Sequence, residues 1–178
     1  EGWGGDRYAV YEHEGSGQVV MELRLAWDSP LEAEEFVSAV REVRDLHGWQ
    51  IFAWTLMGNH YHLVVNTSTI PLWRSMLRLQ SDVARKFNKR HRYLGRLWQS
   101  RYRARVVDTN EYFRQVIAYV HLNPVSTGVV DDPGDYVFSG HREIIGACRP
   151  FVIHWPSVIE GFGGGEPDEA VTDYFRWI

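Results

Sequence analysis

Two histidines, His60 and His62, are the residues whose types and spacing best suit metal chemistry. They stand one residue apart in the otherwise apolar run LMGNHYHLVV, residues 56–65. If this run is a β-strand, both imidazoles project from one face and Tyr61 projects from the other. Two imidazoles so placed can converge on one metal ion. The spacing alone, however, favours a structural interpretation, in which they are half-exposed or are core histidines bonded to the backbone.

A second candidate group lies in the run AYVHLNPV, residues 118–125. On a helix, Tyr119 and Asn123 share one face because they are four residues apart. A tyrosine with an amide oxygen one turn away could supply both a nucleophile and a third metal ligand. The alternative is an amphipathic helix whose tyrosine packs and whose asparagine caps the end before Pro124, and spacing alone favours it. His121 should face away from Tyr119.

The elements that would position these residues follow from hydrophobic periodicity and from the turn residues between the periodic segments. Strands are predicted at residues 8–13, 19–27, 49–56, 61–66 and 101–107. Helices are predicted from Pro30 to Gly48, at about 71–90, at about 110–123 with Pro124 marking the end, and at 168–178. This order predicts an α+β fold, with one antiparallel sheet and helices packed on it.

Basic residues are concentrated in one part of an acidic chain. The net charge is −4, yet 11 of the 19 Lys and Arg residues lie between Arg74 and Arg105, against the single acid Asp82. Nine of the eleven are arginine, whose planar guanidinium can donate two hydrogen bonds to one phosphate and so binds it better than a lysine ammonium does. The segment therefore indicates a polyanion partner, although a solvated helix face is the common alternative. On the predicted helix the residues that fall within one narrow arc are Arg74, Arg78, Arg85 and Lys89.

Cysteine content and hydropathy exclude some classes of protein. The only cysteine is Cys148, so no intramolecular disulfide framework is possible and a reducing compartment is expected. No apolar run approaches the ~20 residues needed to span a bilayer, so no membrane partner is expected.

Three segments in combination resemble a known family. The runs FAWTLMGNHYHLVVNT, LWQSRYRARVV and YVHLNPVSTGVVDDPGDYVFSGHREIIG closely resemble the single-tyrosine HUH transposases, and the nearest group is that of the REP-associated tyrosine transposases. The resemblance covers roughly residues 36–146. It implies an HUH-type catalytic domain with a ferredoxin-like antiparallel sheet, here assigned to residues 1–148, followed by a C-terminal tail at 149–178 with a Gly-rich linker and a short helix.

The resemblance also implies roles for the candidate residues. His60 and His62 match the paired metal ligands, Tyr119 matches the nucleophile, and Asn123 matches the polar residue that completes the metal site. An ordinary tyrosine has a pKa near ~10 and is a poor nucleophile at neutral pH, so a divalent cation, Mg²⁺ or Mn²⁺, is expected to assist it.

The implied function is that of a metal-dependent endonuclease and strand transferase acting on single-stranded, hairpin-containing DNA through a 5′-phosphotyrosine intermediate. A monomer or homodimer in a prokaryotic cytoplasm, associated with the nucleoid, is expected. Two alternatives stay open: a domesticated DNA- or RNA-binding regulator that keeps the fold without transposition, and an unrelated metal-dependent hydrolase in which Tyr119 is structural. The residues expected to bind DNA are Arg74, Arg78, Arg85, Lys89, Trp98, Arg101, Arg103 and Arg105, with Trp98 equally compatible with the core.

Overall fold

The computed structural model of the protein describes the backbone of residues 18–24 and, with their side chains, residues 29–98, 100–149, 151–163 and 165–178. The predicted strand at 8–13 lies outside these residues. The described elements, in chain order, are β1 (Gln18–Arg24), α1 (Pro30–His47), β2 (Gln50–Leu56), β3 (His60–Asn66), α2 (Leu72–His91), β4 (Arg103–Val107), α3 (Asn110–Ser126), a short 3-10 turn (Pro133–Asp135), α4 (His141–Ile144), α5 (Trp155–Gly161) and α6 (Pro167–Phe175).

The four described strands form one antiparallel sheet in the order β2-β3-β1-β4. Together with α1 and α2 the chain follows the path βαββαβ, in which each helix connects two parallel, non-adjacent strands. This path and strand order are those of a ferredoxin-like sheet, so the predicted fold class is confirmed. Strand β3, which carries both histidines, is a central strand of this sheet.

The two faces of the sheet are covered by different helices. The Tyr61 ring of β3 packs on one face against Phe36 of α1, with ring centroids 4.6 Å apart. The neighbouring His62 ring lies on the other face, 5.3 Å from the ring of Tyr119 on α3. Because side chains alternate along a strand, α1 and α3 must lie on opposite faces. The predicted separation of Tyr61 from the two histidines is therefore present.

Helix α3 continues through a proline that was expected to end it. Pro124 lies inside the helix, which extends to Ser126. Proline has no N–H to donate, so the carbonyl of Val120 loses its usual helical partner. The Thr55 hydroxyl of β2 donates to that carbonyl over 2.7 Å instead. The predicted end of this helix is therefore wrong, because a bond from another element offsets the local cost of proline.

Residues after 148 contribute to the same hydrophobic cluster as the sheet. The buried side chains among them include Val152, Ile153, Val158, Phe162, Ala170 and Tyr174. Glu143 holds the start of this segment, since its Oε2 accepts the backbone N–H groups of residues 151–153 at 2.8, 3.0 and 3.0 Å. The division into 1–148 and 149–178 stays a prediction. None of the helices in the described ranges is long and apolar enough to cross a membrane.

Candidate functional site

The two histidines project from β3 at different depths. His60 begins the strand and is partly exposed, whereas His62, two residues later, is 2 % exposed. Their ring centroids are 4.9 Å apart and the rings are nearly perpendicular. The strand therefore presents two imidazoles on one face, one at the surface and one beneath it.

Helix α3 brings a tyrosine and an amide to the same place. The helix begins after Thr109, whose side chain accepts the N–H of Tyr112 over 3.1 Å. Tyr119 and Asn123 follow Thr109 by ten and fourteen residues, and both side chains point towards β3. Asn123 is buried and its Oδ1 is 3.1 Å from His60 Nε2. Tyr119 is 54 % exposed, so its side chain is accessible from solvent.

Burial keeps the inner imidazole uncharged. It lowers the pKa of His62 from 6.5 to about 3, and the nearby His60 adds a smaller effect in the same direction. His62 Nε2 is buried and has no hydrogen-bond partner among the described residues. A buried polar atom without a partner costs stability, which points to a ligand for this nitrogen.

These atoms fit a divalent cation. His60 Nε2 and Asn123 Oδ1, a nitrogen and an oxygen donor, lie 3.1 Å apart, and donors of these two kinds would suit a divalent cation. His62 offers its nitrogen from the same face. The described part of the chain, this site included, contains no group of three or more His, Cys, Asp or Glu residues that could hold a metal ion, so a cation here would need the Asn123 amide beside the two histidines. Two imidazoles and one amide are thus the candidate metal ligands.

One residue of this site was not identified from the sequence. Asn59 Oδ1 lies 2.6 Å from His60 Nδ1, a distance at which Nδ1–H donates to the amide oxygen. Histidine ligands commonly donate their second ring nitrogen to such an acceptor, which fixes the ring and leaves Nε2 for the metal. The signal was present, because Asn59 directly precedes the pair, but it resembled an ordinary turn residue.

The prediction that His121 faces away from Tyr119 holds. It is fully buried, and its Nδ1 is 2.9 Å from the hydroxyl of Tyr174 on α6. The same hydroxyl contacts His141 Nδ1. These three side chains connect α3 to the C-terminal helix, and no local pattern in the sequence joins residues so far apart.

The basic residues of α2 that are predicted to bind DNA form a track on the opposite face of the sheet from the site. The members of this basic track are Arg74, Arg78, Arg85 and Lys89. The Trp98 ring is 6.2 Å from that of Tyr61, and its Nε1 donates to the carbonyl of Gln80 on α2 over 2.8 Å. The structure thus places both α2 and the Trp98 indole on the face of α1. Of the two alternatives for Trp98, packing against the core is what the structure shows, and contact with DNA stays a prediction.

Half of that track is already paired with acids. Arg78 donates to Asp82 over 2.6 Å and to Glu42 of α1 over 2.7 Å, and Arg85 donates to Asp82 over 2.5 Å. Arg74 is exposed and lies over the neighbouring Trp73 ring, at 5.3 Å. Lys89 is also exposed.

The arginines of β4, by contrast, lie on the face of the histidines. Arg103 pairs in register with Glu22, which pairs with His62, and residues paired across an antiparallel sheet point to one face. Two strand spacings put the Arg103 backbone about 10 Å from that of His62. Arg105 follows on the same face, with its guanidinium 5.6 Å from the Tyr112 ring of α3. Arg101, exposed, stands just before the strand.

Comparisons with known proteins bear on the family and on the fold. A family model described as a domain of unknown function (DUF8575) matches residues 1–73. The REP-associated tyrosine transposase of Escherichia coli (strain K12) is 26% identical over 132 residues, which is 72% of this chain and 75% of that protein. The structure of a REP-associated tyrosine transposase bound to a REP hairpin superposes with a TM-score of 0.67 at 18% identity, over 90% of this chain and 97% of that one. The resemblance indicated by the sequence motifs is therefore confirmed: the chain is similar in sequence to a REP-associated tyrosine transposase and shares the fold.

Proposed function

We propose that the chain is a metal-dependent single-stranded DNA endonuclease and strand transferase, which acts on hairpin-containing DNA through a 5′-phosphotyrosine intermediate. The observation that carries the proposal is the convergence of side chains from two elements distant in the chain: His60 and His62 of β3 with Tyr119 and Asn123 of α3. The similarity to a transposase, and to a relative bound to a REP hairpin, supports the same conclusion.

In the proposed reaction the phenolic oxygen of Tyr119 attacks the phosphorus of a phosphodiester. The bond from phosphorus to the tyrosine oxygen forms while the bond to the 3′ oxygen breaks. The phenolic proton passes to solvent, and the departing oxygen takes up a proton to become a free 3′-hydroxyl. The hydroxyl of another strand can reverse the step. Because one phosphate ester replaces another, strand transfer needs no external energy source.

The residues that would hold the cation are His60, His62 and Asn123. A bound Mg²⁺ or Mn²⁺ would offset the negative charge that develops on the phosphate oxygens during attack. Mixed nitrogen and oxygen donors beside a phosphate suit these two ions. Neutral His62 can donate its lone pair without first losing a proton, since its pKa is held near 3 by burial.

A single strand is flexible enough to bring its backbone to this site, whereas a duplex holds its backbone rigidly. Tyr119 is half-exposed, and Arg103 and Arg105 lie on the same face of the sheet as the histidines. The arginines of α2 lie on the other face. We therefore assign contacts near the cleaved phosphate to β4, and assign more distant contacts, such as those to a hairpin, to α2.

Replacement of Tyr119 by phenylalanine tests the proposal. Incubation of the parent protein with single-stranded hairpin DNA and Mn²⁺ should give a protein–DNA adduct that survives denaturation, and Tyr119→Phe should abolish it because the attacking oxygen is gone. Tyr112→Phe is a matched control, since Tyr112 lies on the same helix and contacts Arg105. An adduct formed equally by Tyr119→Phe would show that the nucleophile is another residue. Hairpin binding without any adduct would favour the regulator alternative.

The arginines of α2 should differ in their contribution to DNA binding. Arg74→Ala should reduce the slope of log affinity against log salt by about 0.7–0.9, the value for one lost phosphate contact. Arg78→Ala should change the slope by less than half of that, because Glu42 and Asp82 already neutralise its guanidinium. Fluorescence anisotropy with a labelled hairpin across salt concentrations measures both. A larger change for Arg78 than for Arg74 would contradict this ranking.

A further inference from the structure

Besides the contact between His60 and Asn123, a hydrogen bond from strand β2 joins the sheet to the tyrosine-bearing helix. Thr55 Oγ1 is 2.7 Å from the Val120 carbonyl, which Pro124 leaves without a helical donor. Two other oxygens are near the Thr55 hydroxyl: the backbone carbonyl oxygen of Trp54 at 2.9 Å and the Oγ of Ser139 at 3.3 Å. A hydroxyl has one proton to donate, and the Val120 carbonyl is the closest of the three acceptors.

Both ends of this bond lie beside site residues. Thr55 is fully buried and is the register partner of His62 across the β2–β3 pair. Val120 directly follows Tyr119 and precedes Asn123 by three residues. The distance between the two groups of site residues therefore depends on how α3 sits on β2 at this point.

A β-bulge makes the bond possible. The register of β2 shifts between Ile51 and Ala53, so Phe52 is the extra residue. In a regular strand, residues three apart point to opposite faces. Here Phe52 and Thr55 both contact α3, the first through the Phe113 ring at 5.2 Å and the second through its hydroxyl. The ring contact is apolar and tolerates sliding, whereas a hydrogen bond fixes both distance and direction.

We propose that Thr55 is a positioning residue for the strand-cleavage reaction: its hydroxyl sets the position of α3 along the sheet, and thereby places Tyr119 and Asn123 relative to His60 and His62. This inference rests on the proposed function, because it names a residue that aligns the same site. Pro124 is part of the device, since its missing N–H is what reserves the Val120 carbonyl for Thr55.

Two substitutions at this position separate the hydroxyl from the shape of the side chain. Thr55→Val keeps the shape and removes the donor, and should slow single-turnover adduct formation by about tenfold to a hundredfold, the range for a misplacement of up to 1 Å. The dissociation constant for hairpin DNA should stay within about twofold, because the DNA contacts lie elsewhere. Thr55→Ser restores the donor and should recover the rate to within about threefold of the parent.

A double mutant separates positioning from stability. Thr55→Val should lower the melting temperature by about 5 °C, because it leaves a buried carbonyl unpaired. Pro124→Ala provides a backbone N–H for the same carbonyl. In the Pro124→Ala background, Thr55→Val should therefore lower the melting temperature by much less than it does in the parent protein. The cleavage rate of the double mutant should stay low, since the bond between strand and helix is still missing. Recovery of the rate together with the melting temperature would overturn the positioning role.

An NMR measurement without DNA or metal decides the inference even if the parent forms no adduct, a result that by itself would overturn the proposed function. The rings of His62 and Tyr119 shift each other's resonances, because their centroids are 5.3 Å apart. In protein labelled at histidine and tyrosine, Thr55→Val should move both sets of ring resonances, and Thr55→Ser should leave them near the parent positions. Unchanged ring resonances in Thr55→Val would show that the hydroxyl does not place the helix.

Discussion

His62→Leu is expected to lose metal-dependent DNA cleavage by at least about a hundredfold and yet to fold as well as the parent protein. Leucine fills a volume similar to that of the imidazole and offers no ligand atom. The loss of rate follows if the cation offsets charge on the phosphate, since removal of one such stabilising group costs about this factor. Adduct formation in single-turnover conditions with Mn²⁺ measures it.

The second half of this expectation concerns stability without metal. His62 Nε2 is buried without a partner among the described residues, so its desolvation is not offset. Replacing it with an apolar side chain should leave the free energy of unfolding, measured by urea denaturation with EDTA, within about 1 kcal/mol of the parent or raise it. A drop of several kcal/mol would instead indicate a structural histidine in the core. Full cleavage activity in His62→Leu would exclude it as a ligand.

Residues whose relation is local in the chain could be predicted from the sequence. The spacing of His60 and His62 fixes a common face as soon as the segment is a strand, and the spacing of Tyr119 and Asn123 does the same on a helix. What spacing could not provide is that the two faces meet. That required the family resemblance, and the 3.1 Å approach of His60 Nε2 to Asn123 Oδ1 agrees with it.

Features that depend on contacts between distant segments could not be predicted. A bulge in β2 leaves no pattern in the run QIFAWTL, yet it turns Thr55 towards α3. The same contact explains why Pro124 does not end α3. The helical arc of Arg78 and Arg85 was correct, and their ion pairs with Asp82 lie within α2 at spacings of four and three residues. The ion pair of Arg78 with Glu42, by contrast, depends on how α1 packs beside α2. Local periodicity gives the face of a side chain and not its partner on another element.

Acid is expected to destabilise the metal-free protein well above the pH at which carboxylates titrate. Burial lowers the pKa of His62 to about 3, and burial also lowers the pKa values of His121 and His141. The unfolded chain binds protons at these histidines near pH 6.5, whereas the folded protein excludes them. Stability is therefore fully present above pH 6.5 and falls as the pH decreases. For His62 alone the loss between pH 7 and pH 5 is about 2 kcal/mol.

Urea denaturation in EDTA from pH 7.5 to pH 5 measures this loss while Asp and Glu stay largely ionised. Burial lowers the pKa values of His121 and His141 in the same direction, so the total loss should exceed the roughly 2 kcal/mol expected for His62 alone. His62→Leu is the matched control, because this variant has one titrating histidine fewer. Below pH 6 its free energy of unfolding should therefore fall less steeply with decreasing pH, by about 1.4 kcal/mol per pH unit. An equally steep dependence in that variant would mean that His62 takes up its proton in the folded protein over the same pH range as in the unfolded chain.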